Sequence, residues 1–337
     1  MAAGSVAIPT ITLGESKSES ATLEQSKLLR NACESIGFFY LKVLPTSMSP
    51  STIASTSTSI EHDHEYEYEY EDILHLLPRV FQQSEAFFDL PLDVKQKISD
   101  PVMNRGYTGM EEETLDPARQ KKGRGDTKEG YYIGDDVPVT DLRYNPAKLS
   151  GPNIWPEIEI GGGKTKTDQR KLSFDSREWR SCMMAYHKEM KHISFQLVQL
   201  IAIALDLPQN HFDQHFQEPI ALLRLLHYSN EKSETNEGIY ACGAHSDYGM
   251  VTLLATDDTP GLQIYYNEDL GWVDVPPPPL GTFVVNLGDM MERWTNGKVK
   301  STLHRVISSG SKDRYSIPFF YDPSFDTLVV PLDNCIG

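Results

Sequence analysis

The chain has 337 residues, 39% of them hydrophobic, with 31 basic against 48 acidic side chains and a formal charge of −17. That supports one large or two modest domains around a sizeable core, and the excess negative charge makes nucleic acid a poor partner. Mean hydropathy is −0.40, so with no run of about 18 apolar residues no membrane span is expected.

Ile8 to Leu13 alternates and reads as a short strand. From Ala21 to Ile36, apolar groups at Leu28, Leu29, Ala32, Cys33 and Ile36 recur at helical spacing. Gly37 ends that helix, and Phe38 to Val43 follows as a strand. Thr46 to Asp72 is Ser/Thr-rich and then alternates Glu with His and Tyr, the composition of a flexible surface insertion. Ile73 to Leu90 is a second helix, bent near Pro78 and stopped before Pro91. The stretch from Arg105 to Pro156 reads as irregular, and its basic, Gly-containing middle, Arg119 to Lys128, as a mobile loop. Ser176 to Leu207 is the longest helix, with Met184, His187, Met190, Ile193, Leu197 and Ile201 on or near one stripe. A short helix around His211 to Phe216 follows.

From Ile220 the pattern changes to short β segments separated by turns. They are Ala221–Tyr228, Tyr240–His245, Met250–Ala255, Leu262–Tyr266, Gly271–Val275, Gly281–Leu287, Leu303–Ser308, Tyr315–Tyr321 and Leu328–Val330. Many short strands at this spacing suggest a sandwich or barrel. The start of the chain shows no basic region followed by an apolar one, so no secretory signal is predicted. Cys33, Cys182, Cys242 and Cys335 are widely spaced without a Cys-x-x-Cys pair. That is the pattern of reduced thiols in a cytoplasmic protein, not of a disulfide framework or a zinc ribbon.

Two spacings in the β-rich half carry chemistry. On a strand, residues i and i+2 share a face, so His245 and Asp247 can reach one ion while Ser246 faces away. His304 would arrive from a distant strand. Two imidazoles and one carboxylate leave the open positions that a non-haem Fe(II) site needs. A lone His-x-Asp is common by chance among ten histidines. His62 and His64 form a similar group, but in acidic low-complexity surroundings that read as a solvated loop. His187, His192, His211 and His215 lie on helical segments with a core or surface role, and His227 is one residue off the face of Tyr228. Arg314 and Ser316 repeat the i, i+2 spacing. A planar fork of donors suits a carboxylate bound end-on. An inward arginine in an apolar strand needs an anion, supplied by a co-substrate or by a protein acidic group.

On these residues the chain resembles the 2-oxoglutarate- and Fe(II)-dependent dioxygenases of the isopenicillin N synthase-like family. Ala32 to Tyr40, Phe81 to Lys97, Arg105-Gly106-Tyr107, Gly151 to Pro156, Leu223 to Tyr228, Pro260 to Ile264 and Asn286 to Asp289 match that group in order. The resemblance implies a mixed α+β fold: a double-stranded β-helix (jelly-roll) core with flanking helices. Residues 1–160 would form an N-terminal region, with the insertion at about 46–72, and residues 161–337 the long helix and catalytic core.

It further implies Fe(II) on His245, Asp247 and His304, and 2-oxoglutarate on Arg314 and Ser316 with Tyr228 as a helper. Tyr107 and Phe320 are expected pocket walls. Glu112, in the run Glu111 to Glu113, either binds a basic group of the substrate or sits in a solvated loop. The chain departs from the family where Lys42 to Pro45 replaces the usual Asn-His-Gly, at Leu226 and at Ser229, and a shorter lid is expected after the last strand. The implied reaction is oxidation, most simply hydroxylation, of a small molecule, with 2-oxoglutarate and O2 converted to succinate and CO2. An oxygenase of nucleobases is disfavoured by the charge. An oxidase that dispenses with 2-oxoglutarate, and a binding protein that keeps the fold without turnover, are the alternatives. A cytoplasmic monomer without nucleic-acid or membrane partners is expected.

Overall fold

The computed structural model describes residues 6–14, 19–44, 72–157 and 174–336. The predicted insertion lies outside them except for Asp72. Among the described residues the order is β1 (Thr10–Leu13), α1 (Glu19–Ser35), β2 (Phe38–Val43), α2 (Ile73–Phe88), α3 (Leu92–Lys95), β3 (Ser99–Asp100), β4 (Arg105–Thr108), β5 (Lys128–Ile133) and α4 (Ser176–Ala204). Then come β6 (Pro219–Tyr228), β7 (Cys242–His245), β8 (Val251–Thr256), β9 (Leu262–Asn267), β10 (Gly271–Asp274), β11 (Thr282–Leu287), α5 (Asp289–Trp294), β12 (His304–Val306) and β13 (Arg314–Ser324).

Local chemistry starts and stops these elements. Asp175 caps α4, accepting from the backbone N–H groups of Arg177 and Glu178, and Asp72 caps α2 through Leu74; such caps contribute about 1 kcal/mol each. Helix α2 runs uninterrupted through Pro78. After α1 the chain reverses at Gly37, which has φ +66° and donates to Ala32 O. A Cβ there would sit 2.1 Å from Lys300 O, so only glycine fits.

The strands form two sheets, ordered β1-β2-β11-β8-β13-β6-β5-β4-β3 and β10-β9-β12-β7. They face each other across Phe38, Leu226, Tyr228, Cys242, Ile264 and Val306. This is the jelly-roll core, and strands from both sides of the expected boundary near residue 160 share its larger sheet. On that sheet's other face α1, α2 and α4 bury the larger core. Trp179 of α4 stacks on Phe87 at 5.2 Å between centroids and meets Tyr131 edge-on at 5.1 Å. Alternation along β13 divides the work: Tyr315, Ile317 and Phe319 turn to the helices, and Arg314, Pro318 and Phe320 to the cavity between the sheets. Pro318 lacks an N–H, and the β13–β6 register skips Ile317 and Pro318.

Several expectations need correction. The region read as irregular contains β4 and β5, and β5 pairs with β6 along its whole length. Its sequence, KEGYYI, hides the strand period because Lys128 and Glu129 are buried on opposite faces, each with a protein ion-pair partner. The stretch Arg119 to Lys128 is pinned, not loose. Asp126 N donates to Glu113 O, Lys121 N to Gly238 O and Thr127 N to Tyr240 O, and Arg124 reaches both Glu111 and Glu231. Leu328–Val330 is not a strand; Leu328 and Val330 are exposed, and Pro331 follows without a ladder partner. Near His211 the helix is a single tight turn, Asp213–His215.

Candidate active site

His245 ends β7 and His304 begins β12, and the antiparallel register sets them directly opposite each other. Asp247 lies two residues past the end of β7, so it reaches the site from a turn and not, as the i, i+2 spacing suggested, along the strand. The Nε2 atoms of His245 and His304 each lie 3.8 Å from Asp247 Oδ1. One ligand atom from each residue falls within 4.8 Å of the others, a set that could hold one metal ion.

The backs of these groups are satisfied by the protein. His245 Nδ1 is 2.9 Å from Gly243 O and His304 Nδ1 is 3.1 Å from Thr302 O. A carbonyl only accepts, so the proton sits on Nδ1 and the Nε2 lone pair points at the site. Asp247 Oδ2 accepts from Thr252 Oγ1 at 2.6 Å and from Asn286 Nδ2 at 2.7 Å, which leaves Oδ1 free. Burial, with His245 alongside, lowers the His304 imidazole to about 4. Burial works against the Asp247 charge, but His304, His245 and the donors of Asn286 and Thr252 outweigh it and hold the carboxyl below its usual range. Neutral imidazoles with an ionised carboxylate are the protonation states that bind a metal.

Across the cavity, Arg314 is buried. Its Nη2 donates to Thr256 Oγ1 at 3.0 Å and its Nε to Thr259 O at 3.3 Å. Its guanidinium carbon stands 5.0 Å from the Tyr228 ring centre. Arg314 Nη1 and Ser316 Oγ are buried without a hydrogen-bond partner, and among the described residues no carboxylate pairs this arginine. The structural ion pair that could have explained it is therefore absent among them, and the orphaned donors fit an anion from outside the chain.

The cavity brings together His245, Asp247, His304, Tyr228, Arg314 and Phe320. Two expected pocket residues are elsewhere. Tyr107 pairs in register with Tyr131 and so shares its helix-side face, where its hydroxyl donates to Glu129 Oε2 at 2.6 Å. Glu112 is exposed and accepts from Gly109 N. Of the same acidic run it is Glu113 that reaches inward, with Oε1 2.7 Å from Arg224 Nη2 and Oε2 3.1 Å from Lys128 Nζ. Reading residues alone missed Thr252, Asn286, Lys128 and Arg224. The period of β8 signals Thr252, two residues before Leu254 on the same inward face; Asn286 lies in a segment already matched to the family. His227 faces the helices, and His62 and His64 lie outside the described residues.

Comparison with known proteins agrees with this geometry. The profile of the 2OG-Fe(II) oxygenase superfamily matches residues 219–323, and that of the non-haem dioxygenase in morphine synthesis N-terminal region matches residues 74–158. A 2-oxoglutarate-Fe(II) type oxidoreductase of Emericella nidulans is 34% identical over 261 residues, covering 76% of this chain and 69% of the relative. The chain belongs to the 2OG-Fe(II) oxygenase superfamily. It is a 2-oxoglutarate-dependent dioxygenase, and Fe(II), 2-oxoglutarate and O2 are its cofactor and co-substrates. Clavatol oxidase of Penicillium crustosum is 31% identical, with 90% of the oxygenase and 81% of the relative covered. The crystal structure of a full-length Neurospora crassa protein in complex with alpha-KG and thymine superposes with a TM-score of 0.72 at 27% identity, covering 98% of the oxygenase and 90% of that chain. No helix among the described residues is long and apolar enough to cross a membrane.

Proposed function

We propose that this oxygenase hydroxylates a small molecule, with His245, Asp247 and His304 as the iron ligands and Arg314 and Ser316 as the anchor for the far carboxylate of 2-oxoglutarate. The observation that carries the reading is the orphaned donor Arg314 Nη1, in the cavity that the three ligand residues share, with Ser316 two residues along on the same face of β13. A guanidinium and a hydroxyl on one inward face make a charge-assisted clamp for a carboxylate. Thr252 and Asn286 hold Asp247 so that one oxygen faces the ion. Phe320 and Leu254 exclude water from the space between. Iron with bound 2-oxoglutarate supplies the oxygen activation, in which O2 and the co-substrate become succinate, CO2 and one oxygen atom for the substrate. The relatives' names support 2-oxoglutarate use over an oxidase that dispenses with it, and the complete ligand set argues against a non-catalytic role. The fungal clavatol oxidase supports a place in specialised metabolism.

The test is anaerobic. Fe(II) and then 2-oxoglutarate are added, and the weak visible charge-transfer band is followed before oxygen is admitted and succinate measured. The band is expected to vanish in His245→Ala and Asp247→Ala and to need far more 2-oxoglutarate in Arg314→Ala. A wild-type protein with neither band nor succinate refutes the reading.

A further inference from the structure

Beyond the iron and 2-oxoglutarate positions, the cavity wall carries a second charged group with no part in either. Arg224 of β6 and Lys128 of β5 line the cavity and are both buried. On β6 Arg224 lies two inward positions from Tyr228, the residue paired with Arg314, beside the stretch where the β13 ladder skips Pro318. Its guanidinium carbon lies over the Tyr132 ring, 4.3 Å from the ring centre. It also lies over Gly130, where a Cβ would meet its Nε at 2.9 Å. That Nε has no partner. Glu113 bridges Arg224 and Lys128 from the segment just before the pinned stretch, tied to it by Asp126 N donating to Glu113 O, and Leu115 of that segment also lines the cavity. Asp126 takes the other side of Lys128 and accepts from Gly243 N and Gln120 Nε2, each at 2.8 Å.

The charges in and against this cavity balance. Lys128, Arg224 and Arg314 are positive; Glu113, Asp126 and Asp247 are negative. Fe(II) and dianionic 2-oxoglutarate cancel each other. Burial opposes the Glu113 charge, yet Arg224 and Lys128 together outweigh it and hold the carboxyl below its usual range. An ion in a low-dielectric cavity needs a counter-charge, and here each is already committed. We propose that the oxygenase takes an uncharged substrate whose polar edge combines an acceptor with a donor, as in an amide, lactam or imide, read by Arg224 and Glu113 side by side. Arg224 supplies the donors and Glu113 the acceptor, and a carboxylate or an ammonium group in the same place would stand against the like charge of one of them.

This inference rests on the assignment of the iron and 2-oxoglutarate sites, and the experiment separates the two. The anaerobic Fe(II)–2-oxoglutarate band is titrated with matched probes on one skeleton: indole-3-acetamide, indole-3-acetate and tryptamine, then benzamide, benzoate and benzylamine. The amides are expected to perturb the band at concentrations at least ~10-fold lower than the acids or amines. Glu113→Gln leaves an unpaired positive charge and should swing the preference towards the acids; Arg224→Gln leaves a negative one and should swing it towards the amines. If the wild type prefers a charged class, or responds to none of the probes while its band is intact, the proposal is overturned. It is overturned too if the charge-changing variants fold, give the band and keep the wild-type order, because Glu113 and Arg224 are then only a clamp on the loop. Loss of the band in the wild type would instead count against the assignment of the iron site.

Discussion

Thr252→Val tests whether the iron site is tuned from behind its carboxylate. The hydroxyl of Thr252 is 2.6 Å from Asp247 Oδ2 and shares that oxygen with Asn286 at 2.7 Å. Valine keeps the β-branched shape on β8, and Thr252 is only 5% exposed, so packing is conserved and the donor alone is lost. A hydrogen bond to a charged acceptor contributes about 1.5–3 kcal/mol. If that stabilisation is realised mainly when Asp247 is ionised and ligating, the metal should bind ~10- to 100-fold more weakly. The assay is an anaerobic Fe(II) titration against a chromophoric chelator, with thermal unfolding of the metal-free protein as control. Asn286→Ala should act in the same direction. The double variant should lose more than the two effects combined, because in each single variant the remaining donor still holds the carboxylate. A metal affinity within about twofold of wild type, with the metal-free melting temperature unchanged, would refute the claim that these two residues orient Asp247.

Arg314→Gln should raise the KM for 2-oxoglutarate by ~10- to 100-fold. Its metal-free stability should be unchanged or higher, because no protein anion loses a partner; a large fall in melting temperature would mean the arginine is structural. His227 lies 2.8 Å from Glu129 and 3.2 Å from Asp313; burial pulls its pKa down, but these two partners outweigh it and raise the pKa above the usual value. The stabilisation it supplies is therefore fully present below its unfolded pKa of about 6.5 and is lost as pH rises through the raised folded value. Urea unfolding of wild type and His227→Gln should show the largest gap at about pH 5.5–6.5, narrowing in alkali, and a gap that widens with pH would contradict the assignment. Gly37→Ala should destabilise by at least ~1–2 kcal/mol, given its positive φ and the 2.1 Å approach of Lys300 O; a neutral result would show that the α1–β2 turn can relax.

Much of the site was legible because its residues lie close in sequence. His245 with Asp247, and Arg314 with Ser316, are short spacings that survive without knowledge of the fold. The geometry inferred for the first pair was nonetheless different, since β7 stops at His245 and a turn delivers Asp247. That turn is packed too closely for a pattern to reveal: a Cβ on Gly249 would sit 2.0 Å from Asp322 Oδ1. Tyr107 was misplaced because β4 was not recognised, and without a strand the side-chain parity that sends it to the helix face cannot be read. Arg224, Lys128 and Glu113 are separated by up to 111 residues between Glu113 and Arg224. Only the β5–β6 pairing and the pinned loop bring them together, so no local spacing announces them.

The buried polar groups on the far side of the large sheet bear on this site as well. Glu129 holds Lys95 at 2.7 Å, Tyr107 at 2.6 Å and His227 at 2.8 Å, all facing the helices. Its neighbour Lys128 faces the cavity, as Arg224 and Tyr228 do. A slip of one residue between β5 and β6 would exchange these faces: Glu129 would enter the cavity without its partners, and Lys128 would meet Lys95 in the core. With apolar residues on both faces such a slip would cost only packing. With an ion network on each face it strands several buried charges, at several kcal/mol for each unpaired ion. The Glu129 network therefore selects the register that sets Arg224 and Lys128 in the cavity. Replacing Glu129 and Lys95 together by apolar residues of similar volume should leave the fold stable, yet widen the spread of β5 positions, seen as weakened amide-exchange protection along Lys128–Ile133. Unchanged protection there would show that the backbone ladder and aromatic packing hold the register without the charges.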